Sequence, residues 1–387
     1  MYAGTYHGKP GAHPPDLASV LARAWEAGVG RIIITATSLE DGRAALALAR
    51  TDPRLFCTAG VHPTRAGELV AGGDRYLDDL RALIAEGTAA GKCVAVGEAG
   101  LDNDRLAFCD ARTQAAGFTA QLELAAEVGL PLFLHCRAAA GELVAALAAA
   151  PPLPRGGVVH SFDGSAADLA ALLALSLPGR LCIGLNGCSL KAEGSLGVAA
   201  AVPLDRLLLE TDAPWCEPRP SHASAALLAS QAGAGVAPGA ANAPNPGAVD
   251  KKKWRADAPV KGRNEPAALV CVLRAVAGAR ARGGAGRVRG RLGGGGEGDD
   301  RECGGAVWAV RKGCGVRGKE EMIDEMSAEK HGDSAHSTLP APQGPSLSLS
   351  APCSPAREGA TPRARPNPSP QGNHIALLGI CGRAWSA

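Results

Sequence analysis

Seven short apolar runs recur through the first 214 residues: RIIITA (31–36), LFCTAGVHP (55–63), CVAVGEAGLD (93–102), LPLFLHC (130–136), GGVVHSF (156–162), RLCIGLN (180–186) and LLLETDAP (207–214). Their near-continuous apolar character predicts strands buried on both faces. Between them the apolar period lengthens. Leu17, Val20, Leu21, Ala24 and Trp25 fall at i, i+3, i+4, i+7 and i+8, with Pro15 early and Gly28 at the end, which predicts a helix. Another is predicted to open on Ser165 with Asp168 three residues later, a variant of the capping box, and to continue with Leu169, Leu172 and Leu173.

Strand and helix in alternation imply a parallel sheet covered by helices, either open and doubly wound or closed into a barrel. No GxGxxG follows the first strand, as a dinucleotide-binding sheet would require. The strands instead share a polar residue at their C-terminal ends: His62, Glu98 and Asp102, His135, His160, Asn186, Asp212. Barrel enzymes assemble their active sites from that end of several strands, so the expected fold is an α/β barrel of the TIM type, (β/α)8, with seven strands visible.

The alternation ends near residue 217. Residues 221–249 are rich in Ala, Gly and Pro, 251–266 are basic, and 267–282 predict a last helix. From 283 the chain runs through Gly/Arg, charged and Ser/Pro-rich stretches that bury too little to offset chain entropy. The expected organisation is a barrel over 1–282, with a loop insertion at about 217–250, and a disordered tail over 283–387.

Charge divides the same way. Residues 1–217 carry 17 Lys+Arg against 24 Asp+Glu (−7), and the remainder 23 against 14 (+9). Hydrophobic residues at 46% with only 3% aromatics predict a core of Ala, Leu and Val. No run approaches the roughly 20 apolar residues of a membrane span, and MYAGTYHGKPGAH has no signal-peptide region, so an intracellular location is expected. The twelve cysteines form no CxxC pair and read mostly as small buried hydrophobes.

One Glu, two His and one Asp at strand ends make a donor set for divalent ions: Glu98, His135, His160 and Asp212. Singly, each has a plainer reading, as a rim histidine or a helix cap. Together, at one end of successive strands, they point to a metal cluster able to activate water for hydrolysis. His62 precedes Pro63 and either shapes a turn or faces substrate. Arg137 either holds a phosphate or pairs with a surface acid. Lys251–Lys253 with Trp254, and the Arg/Gly stretch near 280–291, could contact nucleic acid, although a solvated charge run is the commoner outcome.

GVHPTR, VGEAGLD, LFLHCR, VVHSFDG, IGLNGCSLK, ETDAPWC and RNEP, in this order, resemble the TatD-type metal-dependent deoxyribonucleases, most closely their eukaryotic branch, over about residues 1–275. The resemblance implies a metallohydrolase barrel that removes nucleotides from DNA, typically 3′ to 5′. It also implies that Glu98 bridges two divalent ions, Mg²⁺ with Mn²⁺ or Zn²⁺ as alternatives, and that His135, His160 and Asp212 complete the ligands. Asp212 with Glu98 would carry catalysis, and His62 and Arg137 would lie near the phosphate path. DNA is then the substrate, no membrane is involved, and the nucleus or cytoplasm is the location.

The departures matter too. Family members open with one more strand that supplies a His-x-His pair to the first ion, and nothing before RIIITA can be that strand. Met1 aligns with the region just after it, as if translation began at an internal methionine; alternatively the late apolar stretch HIALLGIC (374–381) fills the gap. Two rivals therefore stand beside the nuclease: a barrel metallohydrolase of small amides or esters, and a truncated form impaired in catalysis.

Overall fold

The computed structural model describes residues 1–230, 247–283 and the backbone of 376–381. Residues 231–246 of the anticipated insertion, and all of the anticipated tail except 283 and 376–381, lie outside the described residues. Seven strands run parallel and pair in chain order: β1 (Val29–Thr35), β2 (Leu55–Ala59), β3 (Cys93–Asp102), β4 (Leu132–Arg137), β5 (Gly157–Val159), β6 (Leu181–Leu185) and β7 (Leu207–Leu209). Each anticipated strand is present.

Helices join them: α1 (Leu17–Glu26), α2 (Leu39–Ala49), α3 (Ala66–Ala89), α4 (Ala111–Val128), α5 (Ala140–Ala149), α6 (Ala166–Ala174), α7 (Glu193–Ala201), α8 (Ser224–Ser230) and α9 (Leu269–Arg282). The capping box at α6 is formed: Ser165 N–H donates to Asp168 Oδ2 at 2.8 Å, and Asp168 N–H to Ser165 Oγ at 3.2 Å.

The period-2 pleat sorts side chains into two cores. Ile33, Phe56, Ala95, Phe133, Val158 and Cys182, one from each of β1 to β6, pack together with Leu208 of β7 as an inner layer. That layer is the mark of a sheet curled on itself. The larger core lies between the outer face and the helices, around Ile32, Ile34, Leu132, Leu134, Phe118 and Leu143.

Within the stretch expected to be disordered, Ala376–Cys381 forms β8. It pairs antiparallel with β1, from Thr35↔Ala376 to Val29↔Cys381, and lies beside β7 as well. An uncovered β1 edge presents unpaired N–H and C=O groups, and ALLGIC is an apolar run suited to cover it.

The RNEP motif ties the first residues of the chain to the last loops. Arg263 is fully buried and meets Asp16 through two bonds of 2.7 and 2.8 Å and Glu265 at 2.8 Å. Arg23 adds a bidentate pair to Glu265 at 2.7 and 2.9 Å. Asn264 donates through Nδ2 to Thr211 O at 2.9 Å and through its backbone N–H to Pro214 O at 3.0 Å, bracketing Asp212. Trp254, weighed above for nucleic-acid contact, donates to Asp16 at 3.0 Å and stacks on His13, which is a structural role.

Candidate metal centre

Glu98 owes its position to a break in the β3–β4 register between Val96 and Ala99. A bulge of this kind re-aims side chains. Gly97 makes it possible: its φ is +151°, and a Cβ there would meet the Phe133 carbonyl oxygen at 2.2 Å. The Glu98 backbone N–H is held by Ala36 O at 2.9 Å, just past β1.

The carboxylate enters a ring of imidazoles. Its Oε1 lies 2.8 Å from His135 Nδ1, 2.6 Å from His160 Nε2 and 3.7 Å from His62 Nε2. All four side chains are buried. Two further carboxylates back the histidines: Asp102 Oδ2 lies 3.1 Å from His135 Nε2, and Glu210 Oε1 lies 3.6 Å from His160 Nδ1. Glu210 also accepts from Ser161 N–H and from Asn186 Nδ2 at 3.3 Å. From the sequence Asp102 figures only as one of the polar strand ends, with no role in the site, and Glu210 not at all, although both close strands on a carboxylate, in VGEAGLD and LLLETDAP.

Electrostatics separates the histidines. Burial alone would raise the Glu98 pKa, but His160, His62 and His135 hold it well below the usual carboxylate range. Carboxylates only accept hydrogen bonds, so His135 donates from both nitrogens and carries a proton. Its pKa accordingly rises, with burial opposed by Asp102 and Glu98. That of His160 rises further, burial being outweighed by Glu98 and Glu210. His62 goes the other way, to about 3, through burial and the neighbouring His135. Its Nδ1 accepts the Thr64 backbone N–H at 3.1 Å, so the neutral ring bears its hydrogen on Nε2, facing Glu98.

Asp212 sits after β7, partly buried, with a left-handed φ of 50°. Ser161 after β5 and Ala138 after β4 share that value. Each such residue costs on the order of 1–2 kcal/mol, and this strain falls where ligand-bearing strands end. Burial lifts the Asp212 pKa to about 7; His160 opposes the rise, and Glu98 and Glu210 add to it. Its Oδ2 accepts from the Cys216 thiol at 3.2 Å.

The structure therefore brings Glu98, His135, His160 and His62 into contact and sets Asp212 within their field. Arg137 stands apart. Its Nη1 pairs with Asp163 at 3.0 Å and it lines a cavity of about 520 Å³ with Asp104, Glu142, Asp163 and Asp168. The donor set suits a divalent cation: His62, Glu98 and His135 offer three ligand atoms within 4.8 Å of one another, and His160 Nδ1 is buried without a hydrogen bond.

The profile of the TatD related DNase family matches residues 7–283. The chain belongs to that family. It is 40% identical over 281 residues to the "Deoxyribonuclease Tat-D" of Schizosaccharomyces pombe, covering 72% of this chain and 85% of the relative. It is 40% identical over 210 residues to the "3'-5' ssDNA/RNA exonuclease TatD" of Erwinia tasmaniensis, covering 53% and 76%. Among solved structures it resembles an uncharacterized amidohydrolase from Saccharomyces cerevisiae (TM-score 0.64, 31% identity, 73% of this chain and 91% of that one). It likewise resembles a hydrolase of the TatD family from Entamoeba histolytica (TM-score 0.62, 31% identity, 72% and 87%). As a TatD-family protein the chain is a metal-dependent hydrolase. Among the described residues no helix is long and apolar enough to cross a membrane.

Proposed function

We propose that the chain is a divalent-metal-dependent deoxyribonuclease releasing nucleotides from the 3′ end of DNA, with Mg²⁺ as its ion and Mn²⁺ or Zn²⁺ as substitutes. One observation carries the reading: a single buried carboxylate oxygen, Glu98 Oε1, faces three imidazole nitrogens at 2.6, 2.8 and 3.7 Å. Glu98, His135, His160 and Asp212 are the residues that would hold two ions. Bound divalent cations supply Lewis acidity, polarising a phosphodiester and making water acidic near neutral pH.

The other steps belong to the chain. Asp212, with a pKa of about 7, is suited to take a proton from the attacking water. His62 presents Nε2–H and so donates to a phosphoryl oxygen; serving as a third ligand would require it to give up the Thr64 bond. Arg137 and the N-terminus of α5, whose cap residue Ala139 offers no side-chain acceptor, line the neighbouring cavity and would steady a flanking phosphate. We place the activity in the nucleus, where its substrate lies.

The test uses the full chain with 3′- and 5′-labelled single-stranded and duplex DNA, in Mg²⁺, in Mn²⁺ and in EDTA. Mononucleotides should be released from the 3′ end and chelation should stop it. The likeness to a structure titled an amidohydrolase favours a second reading, hydrolysis of a small amide or ester. Turnover of such compounds with none of DNA would decide for it.

A further inference from the structure

The loops after β6 and β7 each carry a cysteine, and the fold brings the two together. Of the seven free cysteines among the described residues, five are buried; Cys188 and Cys216 are partly exposed. The backbones that bear them are in contact, since a Cβ on Gly187 would lie 2.2 Å from the Cys216 carbonyl oxygen and 2.8 Å from Pro218 N. Cys188 and Cys216 are thereby neighbours across the two loops, with Lys191 and Arg137 in the electrostatic surroundings of Cys188. On its other side Cys216 donates to Asp212 Oδ2 at 3.2 Å and lies 4.0 Å from Ser161 Oγ.

We propose that Cys188 and Cys216 are a reversible disulfide pair, and that closing the bond withdraws the Cys216 thiol from Asp212 and lowers the activity of the centre. The oxidant is a peroxide. Cys188 sulfur attacks a peroxide oxygen, the O–O bond breaks, one water leaves and a sulfenic acid remains. The Cys216 thiol then attacks Cys188 Sγ. The S–S bond forms as the S–O bond breaks, and the Cys216 proton leaves with the departing hydroxide as a second water. Two thiols are oxidised, and one peroxide is reduced to two waters.

Cys188 suits the attacking role. Its pKa lies near 6, lowered by the Cys216 thiol against the effect of burial, with Lys191 and Arg137 adding to the lowering. Cys216, whose thiol donates to Asp212 Oδ2 at 3.2 Å, is the resolving partner. Reduction by a small dithiol restores the contact with Asp212.

The regulatory consequence rests on the nuclease reading above, whereas the bond itself does not. Full-length protein is treated with hydrogen peroxide, then with or without dithiothreitol, and the cross-links are mapped by mass spectrometry beside a nuclease assay. A linkage between tryptic peptides 181–191 and 207–251 is expected, cleavage after Arg219 being blocked by Pro220. The first of these also holds Cys182, so C188S decides which sulfur is joined. C188S should keep untreated activity, form no link and resist peroxide, while the wild type loses most of its nuclease rate and regains it on reduction. Absence of the link, its persistence in C188S, or a linked protein of unchanged rate would each overturn the proposal. A wild type that forms the link but never cleaves DNA would remove the nuclease reading and the regulatory half of this one, leaving the pair itself.

Discussion

His160 Nε2 meets Glu98 Oε1 at 2.6 Å in the buried centre, and the same oxygen faces His135 Nδ1 at 2.8 Å. One carboxylate thus organises both imidazoles. Replacing it by Gln keeps the volume and removes the charge. The Glu98→Gln variant should lose more than about 100-fold in divalent-metal affinity, since even outer-shell partners of metal ligands are worth 10–100-fold. Its fold should survive, because the two histidines can neutralise. Calorimetry with Mn²⁺ beside a thermal melt checks this, and unchanged affinity would remove Glu98 from the site.

Metal binding should release protons. Ligation needs neutral imidazoles, yet carboxylates raise the pKa of both His135 and His160. Apparent affinity should therefore climb as pH rises through those raised values. The metal-free fold should respond in the opposite sense. Folded pKa values above unfolded ones mean that these pairs stabilise it fully below about pH 6.5 and progressively less as pH rises through the folded values. Calorimetry in buffers of different ionisation enthalpy measures the protons directly. Binding without proton release would show that neither imidazole is a ligand.

His62 is predicted to act by donating a hydrogen bond. His62→Ala should retain most metal affinity and lose about 10²-fold or more in nuclease rate, the order expected for a group stabilising developing charge. His62→Gln places an N–H near the same position and should recover part of the loss. Equal losses of metal affinity and of rate in both variants would make His62 a ligand instead.

The strands were legible because each buries both faces and so reads as a continuous apolar run. The curling was legible only indirectly, from polar residues at strand ends. Inner-layer residues such as Phe56 and Phe133 cannot be told from outward-facing Leu55 and Leu132 in such runs, since both faces are apolar. Glu98 and the two histidines stood out by residue type and place. Asp102 and Glu210 did not, because their part depends on which imidazole nitrogen each meets, a matter of register. Arg137 illustrates the converse: two residues after His135 in sequence, it lines a different cavity.

The buried Arg263 network predicts a stability effect larger than its surface counterparts would give. Arg263→Ala leaves Asp16 buried without its principal partner, takes one bond from Glu265, which keeps Arg23, and should cost about 3–5 kcal/mol. Asn264→Ala removes a donor to the Thr211 carbonyl and the Oδ1 that accepts the Glu265 N–H at 3.0 Å, and should cost about 1–3 kcal/mol. Because Thr211 precedes Asp212, the milder variant should also slow hydrolysis at saturating metal. Denaturant titration and nuclease rates on the two proteins check both parts; an Asn264→Ala variant of full rate would separate that bond from the positioning of Asp212.

The last prediction concerns β8. Strand β1 bonds to β2 on one side and to Ala376–Cys381 on the other, and the backbone just beyond it holds the centre: Ala36 O accepts the Glu98 N–H at 2.9 Å and Thr37 O the His62 N–H at 3.0 Å. Removing residues 372–387 should uncover the β1 edge. Amides of β1 that face β8 should then exchange with solvent faster, while those of β4 and β5, away from the edge, keep their protection. An exposed strand edge also invites pairing with another chain, so the truncated protein should associate at high concentration. Loosening of the Ala36–Thr37 segment should lower metal affinity together with β1 protection, since both report the same backbone. Exchange and affinity identical to the full chain would mean that the seven parallel strands hold the centre without their antiparallel neighbour.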